Sequence, residues 1–212
     1  EGTIWFKKSF NYSPKSGKRV ILYFGAVNYE AIVYLNTKIL GKHVGGFTPF
    51  NYDVTDLIKD GENFIILKVD NKRKKENVPT EIFDWWNYGG ITRDVFLVET
   101  EEIFIQNYFF RLDKSNQNQI LFNAELSSKI SGKTIEISIP ELKVLESFNT
   151  DTDGKVSGKF KIKNLSLWTP ENPKLYEVEL KLDNDNLKDE IGFRIIETSG
   201  KKILLNNKPI YL

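Results

Sequence analysis

Along most of the chain, apolar and polar residues alternate with a period of two. "RVILYF" (Arg19 to Phe24), "AIVYL" (Ala31 to Leu35), "NFIILKV" (Asn63 to Val69) and "DVFLVE" (Asp94 to Glu99) are short runs of this kind. "QILFNAEL" (Gln119 to Leu126), "TIEISI" (Thr134 to Ile139) and "YEVELKL" (Tyr176 to Leu182) repeat the pattern further on. They are rich in β-branched and aromatic residues, which pack well on a pleated surface, so each predicts a strand. Turn signals separate them at Ser16-Gly17, Asp60-Gly61, Asp153-Gly154 and Ser199-Gly200. Many short strands without long helical stretches between them predict an all-β chain built of sandwiches rather than a parallel sheet. The one helical candidate is "TDLIKDG", where Thr55 can cap and Gly61 can end a turn or two.

A length of 212 residues allows one large domain or two small ones. The texture of the chain changes near Glu101-Glu102. Residues 1–101 are rich in glycine and aromatics with long loops. Residues 102–196 are plainer, with "SNQNQ" (Ser115 to Gln119) as a polar hairpin tip and Lys and Glu on the presumed wet faces. About one hundred residues in about seven strands suits an immunoglobulin-like sandwich, and a spacer is the natural reading of it. Residues 197–212 form a further hairpin pattern. Glu1 opens the chain without a methionine and Leu212 closes it within an apparent strand, so it reads as a piece of a longer protein.

Composition narrows the classes. The chain is 40% apolar and 28% charged, an ordinary globular balance. Thirty basic and twenty-nine acidic residues leave a net charge of +1, so nothing points to nucleic acid or to an anionic membrane. "NKRKKEN" (Asn71 to Asn77) is a local basic run that can bind an anion, although a solvated loop is the commoner outcome. No apolar stretch approaches the length of a membrane span. No leader pattern opens the sequence, which leaves cytoplasmic and periplasmic locations both open. With no cysteine there are neither disulfides nor thiolate metal sites.

Little catalytic chemistry is visible. His43 is the only histidine, in "GKHVGGFTPF" (Gly41 to Phe50), and reads as a packed or hydrogen-bonded loop residue rather than a ligand. No glycine loop opens a helix to cradle a phosphate, and no cofactor is called for. A retaining glycosidase needs two carboxyl groups about 5 Å apart, and no such pair can be nominated here. "TEIFDWWNYGGITRDVFL" (Thr80 to Leu97) is different, because large polar-tipped residues stand beside paired glycines. Gly89 and Gly90 permit close backbone approach. Trp85 and Trp86 cannot share one face of an extended backbone, so one is expected to fill the core and the other to form a platform for a sugar. Asp84 is balanced between a backbone cap and a ligand contact. Arg93 and Asp94 are expected to form internal ion pairs. Trp168 is expected to pack inside the second sandwich, with Pro170 and Pro173 fixing the loop around it.

The motifs "VYLN", "GKHVGGFTPF", "DVTDLIKDGEN" and "NYGGITRDVFL" resemble, in this order, the sugar-binding domain of glycoside hydrolase family 2. That family includes β-galactosidases, β-glucuronidases and β-mannosidases. "LWTPENPKLYEVEL" (Leu167 to Leu180) resembles its immunoglobulin-like domain. "IGFRIIETSGKKILLNNKPIYL" resembles the hairpin that leads into its catalytic (β/α)8 barrel. The resemblance covers essentially the whole chain. It implies a jelly-roll-like sandwich over residues 1–101 ahead of the immunoglobulin-like one. The function implied is a hydrolase for terminal β-linked sugars, β-galactosidase first and β-glucuronidase or β-mannosidase close behind, with a freestanding carbohydrate-binding module as the alternative of another class. It also implies that both catalytic glutamates lie in the barrel, outside this chain. Asp84 in "DWWNYGGITR" matches the family aspartate that contacts a glycone hydroxyl and in some β-galactosidases ligates sodium. Trp85, Trp86 and Asn87 stand next to it as further substrate contacts. The partners implied are the terminal sugar and the catalytic barrel, in a full-length enzyme that forms a homo-oligomer.

Overall fold

A computed structural model gives the structure of the protein over residues 1–81 and 84–211. Ile82 and Phe83 of the tryptophan loop, and Leu212 at the end of the predicted hairpin, lie outside the described residues. The chain divides into two compact units, Glu1–Glu102 and Ile103–Leu212.

The described residues of the first unit form nine strands: β1 (Thr3–Tyr12), β2 (Lys18–Phe24), β3 (Val27–Asn28), β4 (Glu30–Leu35), β5 (Lys38–Val44), β6 (Phe50–Asp53), β7 (Gly61–Asp70), β8 (Gly90–Ile91) and β9 (Val95–Glu101). One sheet has the order β1-β7-β4-β5 and the facing sheet β6-β2-β9, while β3 and β8 form a short ladder of their own. The period of two places Val20, Leu22 and Phe24 of β2 inside. Ala31, Val33 and Leu35 of β4, and Ile65, Leu67 and Val69 of β7, meet them from the other sheet. Fully burying a side chain of this size contributes about 1.5–3 kcal/mol. Slipping a strand by one residue would turn the whole set to solvent, so the core fixes the register.

A buried amide sets where β7 begins. Asn63 is fully buried, and its Oδ1 accepts from the Lys59 N–H at 2.9 Å and from Asn36 Nδ2 at 3.0 Å. Its own Nδ2 donates to the carbonyls of Lys59 and Gly61 at 2.8 and 3.1 Å. Asn36 in turn accepts from the Phe64 N–H at 3.1 Å. The "VYLN" and "DGEN" motifs are thus two halves of one hydrogen-bonded corner. Leaving a buried donor or acceptor unsatisfied costs about 1–3 kcal/mol.

The helix predicted over "TDLIKDG" does not form. Leu57 and Ile58 both donate to the Val54 carbonyl at 2.9 Å, which closes a single turn. The capping group is Asp53, whose Oδ1 takes the Thr55 N–H and hydroxyl. Thr55 is engaged elsewhere, because its Oγ1 accepts the Val20 N–H at 2.9 Å. With Ile58 pinned into the core and Lys59 claimed by Asn63, no residues remain to extend the turn.

The second unit contains β10 (Ile105–Leu112), β11 (Gln119–Leu126), β12 (Thr134–Ile139), a 3-10 turn (Pro140–Leu142), β13 (Val144–Asn149), β14 (Lys155–Lys161), β15 (Tyr176–Leu182) and β16 (Asp185–Ile191). A three-stranded sheet, β10-β11-β14, faces a four-stranded sheet, β13-β12-β15-β16. Seven strands in this split form an immunoglobulin-like sandwich. β17 (Ile196–Ser199), β18 (Lys202–Leu205) and β19 (Lys208–Ile210) follow as an antiparallel meander. "SNQNQ" sits in the β10–β11 turn, held by Asp113.

Trp168 is half-buried rather than a core residue. Its ring lies against Gly192, where an added Cβ would stand 2.7 Å from Cδ1, and the Arg194 guanidinium covers it at 5.4 Å. The side chain of this segment that does reach the core is Tyr176, whose hydroxyl accepts the Ser166 N–H at 2.8 Å. Asn206 ties the meander to the segment by donating to the Trp168 carbonyl at 3.0 Å.

Burial pushes the Asp53 carboxyl up, but hydrogen bonds from Thr55 and from Arg19 outweigh it and hold the group below its ordinary value of 3.8. Asp70 is lowered as well, chiefly by the Lys72 N–H. An unfolded chain protonates such groups first as the pH falls. The stability they confer is therefore present above the ordinary carboxylate range and is lost as the pH drops through it to the depressed values. Asp53→Asn is expected to flatten the acid limb of the stability profile of this chain. Denaturant midpoints collected from neutral pH downward check this, and a decline parallel to that of the parent would contradict it.

Candidate functional site

The candidate site is built on four segments of the first unit: the end of β3, the β5–β6 loop, the loop after β7, and the tryptophan loop on either side of β8. Asn71 follows β7 directly. Its Oδ1 accepts the Gly2 N–H at 2.9 Å, and its Nδ2 donates to the Asn87 carbonyl at 3.1 Å. Asn87 returns the contact, with its own Nδ2 donating to the Asn71 carbonyl. Asn28 donates to the Tyr88 carbonyl and reaches Asn87 Oδ1 at 3.4 Å. Three asparagine amides therefore fasten the loop, each pairing with backbone as a strand neighbour would.

The paired glycines are needed for this approach. A Cβ at Gly89 would stand 2.6 Å from Asn71 Cβ and Nδ2. Gly90 has φ +105°, a region L side chains rarely adopt, and is packed beside Phe6.

Neither tryptophan of the pair enters the core. Trp85 is 58% exposed and Trp86 81%, so the expected split into one anchor and one platform does not occur. The amide clasp takes over the anchoring, which leaves both indoles outside. Trp85, Trp86, Tyr88, Tyr29 and Phe47 line one concavity of about 300 Å³. That is the lower end of the size usual for small-molecule sites. Asn87, Asn28 and Asn71 contribute polar edges, and Arg73 and Arg93 also line it.

Both arginines are oriented by backbone. Arg73 Nη2 donates to the Trp85 carbonyl at 3.0 Å, and its Nε stands 3.3 Å from a Glu1 carboxylate oxygen. Arg93 Nη1 donates to the Phe47 carbonyl at 3.3 Å. The ion pairs expected of Arg93 and Asp94 are not found among the described residues. Asp94 instead uses its backbone carbonyl to accept the Gly25 N–H at 2.9 Å.

Asp84 is exposed at the head of the loop. It does not line the concavity, and among the described residues no side-chain hydrogen bond or ion pair holds it. A backbone cap is therefore not what the structure makes of it. No group of three His, Cys, Asp or Glu side chains is gathered anywhere among the described residues. His43 stacks on Phe50 with centroids 4.0 Å apart, and its Nε2 lies 3.3 Å from Thr48 Oγ1, so it is packed as expected, although it stands in strand β5 rather than in a loop.

Arg73, Asn71, Asn28 and Phe47 escaped the sequence reading. Arg73 is hidden in a basic run whose neighbours Lys72, Lys74 and Lys75 are exposed. Only its odd position among lysines marks it. Asn71 and Asn28 stand at strand ends, where asparagine is an ordinary turn residue.

Comparison with known proteins now gives this fold a family. Residues 1–101 match the model for the sugar binding domain of glycosyl hydrolases family 2, and residues 103–194 match a second model of the same family. The chain belongs to glycosyl hydrolase family 2. It is 32% identical to a β-galactosidase of Thermoanaerobacter pseudethanolicus over 98% of its length, covering 30% of that protein. It is also 32% identical to a putative β-glucuronidase of Formosa agariphila, with 95% of this chain and 27% of that protein covered. Among solved structures, a β-glucuronidase of Bifidobacterium dentium complexed with coumarin-3-O-glucuronide superposes with a TM-score of 0.86 at 25% identity. That match covers 99% of this chain and 42% of the other. The chain thus spans less than a third of the length of these two curated relatives.

Asn71→Ala is expected to release the tryptophan loop while leaving both sandwiches folded. The readout is amide exchange, which should accelerate by about one to two orders of magnitude over residues 84–90, as lost hydrogen bonds of about 1 kcal/mol each imply. Unchanged protection there would show that the loop is held by something other than the amide clasp.

Proposed function

We propose that this chain is the non-catalytic amino-terminal part of a retaining glycosidase that removes terminal β-linked sugars, and that the tryptophan loop supplies contacts to that sugar. The observation that carries the reading is the concavity itself. It combines indole and phenol rings with asparagine amides on a loop clasped to the sandwich. Ring faces take up the apolar face of a pyranose, and amides satisfy its hydroxyls.

The two catalytic carboxylates belong to the barrel, beyond this chain. On this reading that barrel supplies the pair of carboxylates about 5 Å apart that retaining hydrolysis needs, and this chain the ring and amide contacts of the concavity. The boundaries of this proposal are a sugar-binding unit over residues 1–101, an immunoglobulin-like spacer over 102–196, and the lead into the barrel from 197 onward. Two relatives of equal identity bear the names β-galactosidase and β-glucuronidase. The first expectation, a β-galactosidase, therefore stands beside the second, and the arginines in the lining favour an acidic sugar.

Asp84 is the residue assigned to reach the glycone, because it is exposed and is not committed to the fold. A hydrogen bond to a charged group contributes about 1.5–3 kcal/mol. Asp84→Ala in the full-length enzyme is therefore expected to lower kcat/KM by about ten- to a hundred-fold with Tm unchanged. A lowered Tm with kcat/KM intact would make Asp84 a structural residue and overturn the assignment.

A further inference from the structure

Three hydroxyl groups line the concavity, on Tyr29, Tyr88 and Thr92, and they are held very differently. Thr92 turns its hydroxyl to the Ala26 carbonyl at 3.4 Å, and Tyr88 is 74% exposed. Tyr29 is half-buried and is fixed from three directions. Its N–H donates to the Asp70 carbonyl at 3.4 Å, and its own carbonyl accepts the Gly45 N–H at 3.0 Å. Its phenol oxygen accepts the Val78 N–H at 3.1 Å. The ring therefore stands where the end of β7, the β5–β6 loop and the loop after β7 meet. A phenol hydroxyl can accept and donate at once. Accepting from Val78 leaves its proton unspent, and no described residue takes that proton. A donor oriented before binding loses less freedom when a ligand arrives.

The amides around Tyr29 are committed in the opposite sense. Asn28 Nδ2 serves the Tyr88 carbonyl and Asn87 Oδ1, while Asn87 Nδ2 serves the Asn71 carbonyl and Glu1. Asn71 and Asn77 each give an Nδ2 hydrogen to a backbone carbonyl. The Oδ1 atoms of Asn28 and Asn77, by contrast, accept from no described residue. What the amides still offer is chiefly acceptors, which suit the protons of sugar hydroxyls. A hydroxyl that gives up its proton in this way still has lone pairs that call for a donor.

We propose that Tyr29 is a specificity-determining contact of this site: its O–H donates to one oxygen of the bound glycoside while the Val78 N–H holds the phenol oxygen. The inference rests on the reading of the concavity as a sugar contact and adds a residue of opposite polarity to Asp84. A carboxylate accepts and so reads donors, whereas Tyr29 reads an acceptor. Its selectivity is for one position on the sugar ring.

Methyl β-D-galactopyranoside and methyl β-D-glucuronide, each with its monodeoxy analogues, are titrated into the 212-residue chain and into its Tyr29→Phe variant by ligand-observed NMR. Melting curves confirm that the variant folds. In the parent, removing one particular hydroxyl should lower affinity by about two- to ten-fold, the range of a neutral hydrogen bond. Tyr29→Phe should weaken the intact glycoside by the same factor and leave the analogue lacking that hydroxyl unaffected. A fluorine at that position, which accepts weakly but cannot donate, should keep part of the affinity in the parent. Tyr29→Phe also removes the tie to Val78, and a purely structural role would weaken every analogue by one common factor. That outcome, or unchanged affinity for all of them, would overturn the assignment of Tyr29 and leave the sugar contact standing. Failure of the parent to bind either glycoside would overturn the reading of the concavity as a sugar contact and this inference with it.

Discussion

The first unit depends on the register of β7. This strand is central to its sheet, paired with β1 along its whole length and with β4 on the other side. At one end the buried amide of Asn63 fixes where the strand starts. At the other, the chain leaves the sheet at Asp70, and Asn71 clasps the tryptophan loop. The strand connects these two asparagines as a rigid spacer. A one-residue slip would bury charge at Lys68 and also carry Asn71 out of reach of Asn87, so core packing and site geometry answer to the same constraint.

A loop of this kind poses a physical problem. It must present large rings to solvent without collapsing onto the nearby apolar core. The solution here is polar. Asn28, Asn71 and Asn87 bind one another and the backbone, and Trp85, Trp86 and Tyr88 remain exposed beside them. Exposed aromatic groups that are fixed in place are characteristic of recognition surfaces rather than of folding cores. The arginines in the lining are placed by backbone as well, Arg73 by the carbonyl of Trp85 and Arg93 by that of Phe47 between β5 and β6.

Much of this was legible in the sequence, and the rest was not for identifiable reasons. The strands over Gln119–Leu126, Thr134–Ile139 and Tyr176–Leu182 lie where alternation puts them, because burial on one face enforces the pattern directly. The exposure of both tryptophans was not legible, since an indole reads as core until its surroundings are known. Trp168 failed for a related reason: its partner, Gly192, is distant in sequence and offers a shelf rather than a pocket. The turn at Thr55 looked like a helix because local capping chemistry is the same for both. Only the competing claims of Val20 and Asn63 decide against it. Arg73 was concealed by its lysine neighbours, from which composition cannot separate it.

The central claim is that the loop from Asp84 to Tyr88 meets the sugar. The chain contains four tryptophans, and Trp5 and Trp168 lie well away from that loop in sequence. Trp5 packs on Tyr34, on the sheet that contains β7, and Trp168 lies in the second unit. Indole N–H resonances of selectively labelled protein therefore report site and controls in one spectrum. On addition of a methyl β-glycopyranoside, the account predicts that the Trp85 and Trp86 signals shift in a saturable way while those of Trp5 and Trp168 stay in place. Shifts confined to Trp5 or Trp168, or none at saturating sugar, would contradict it.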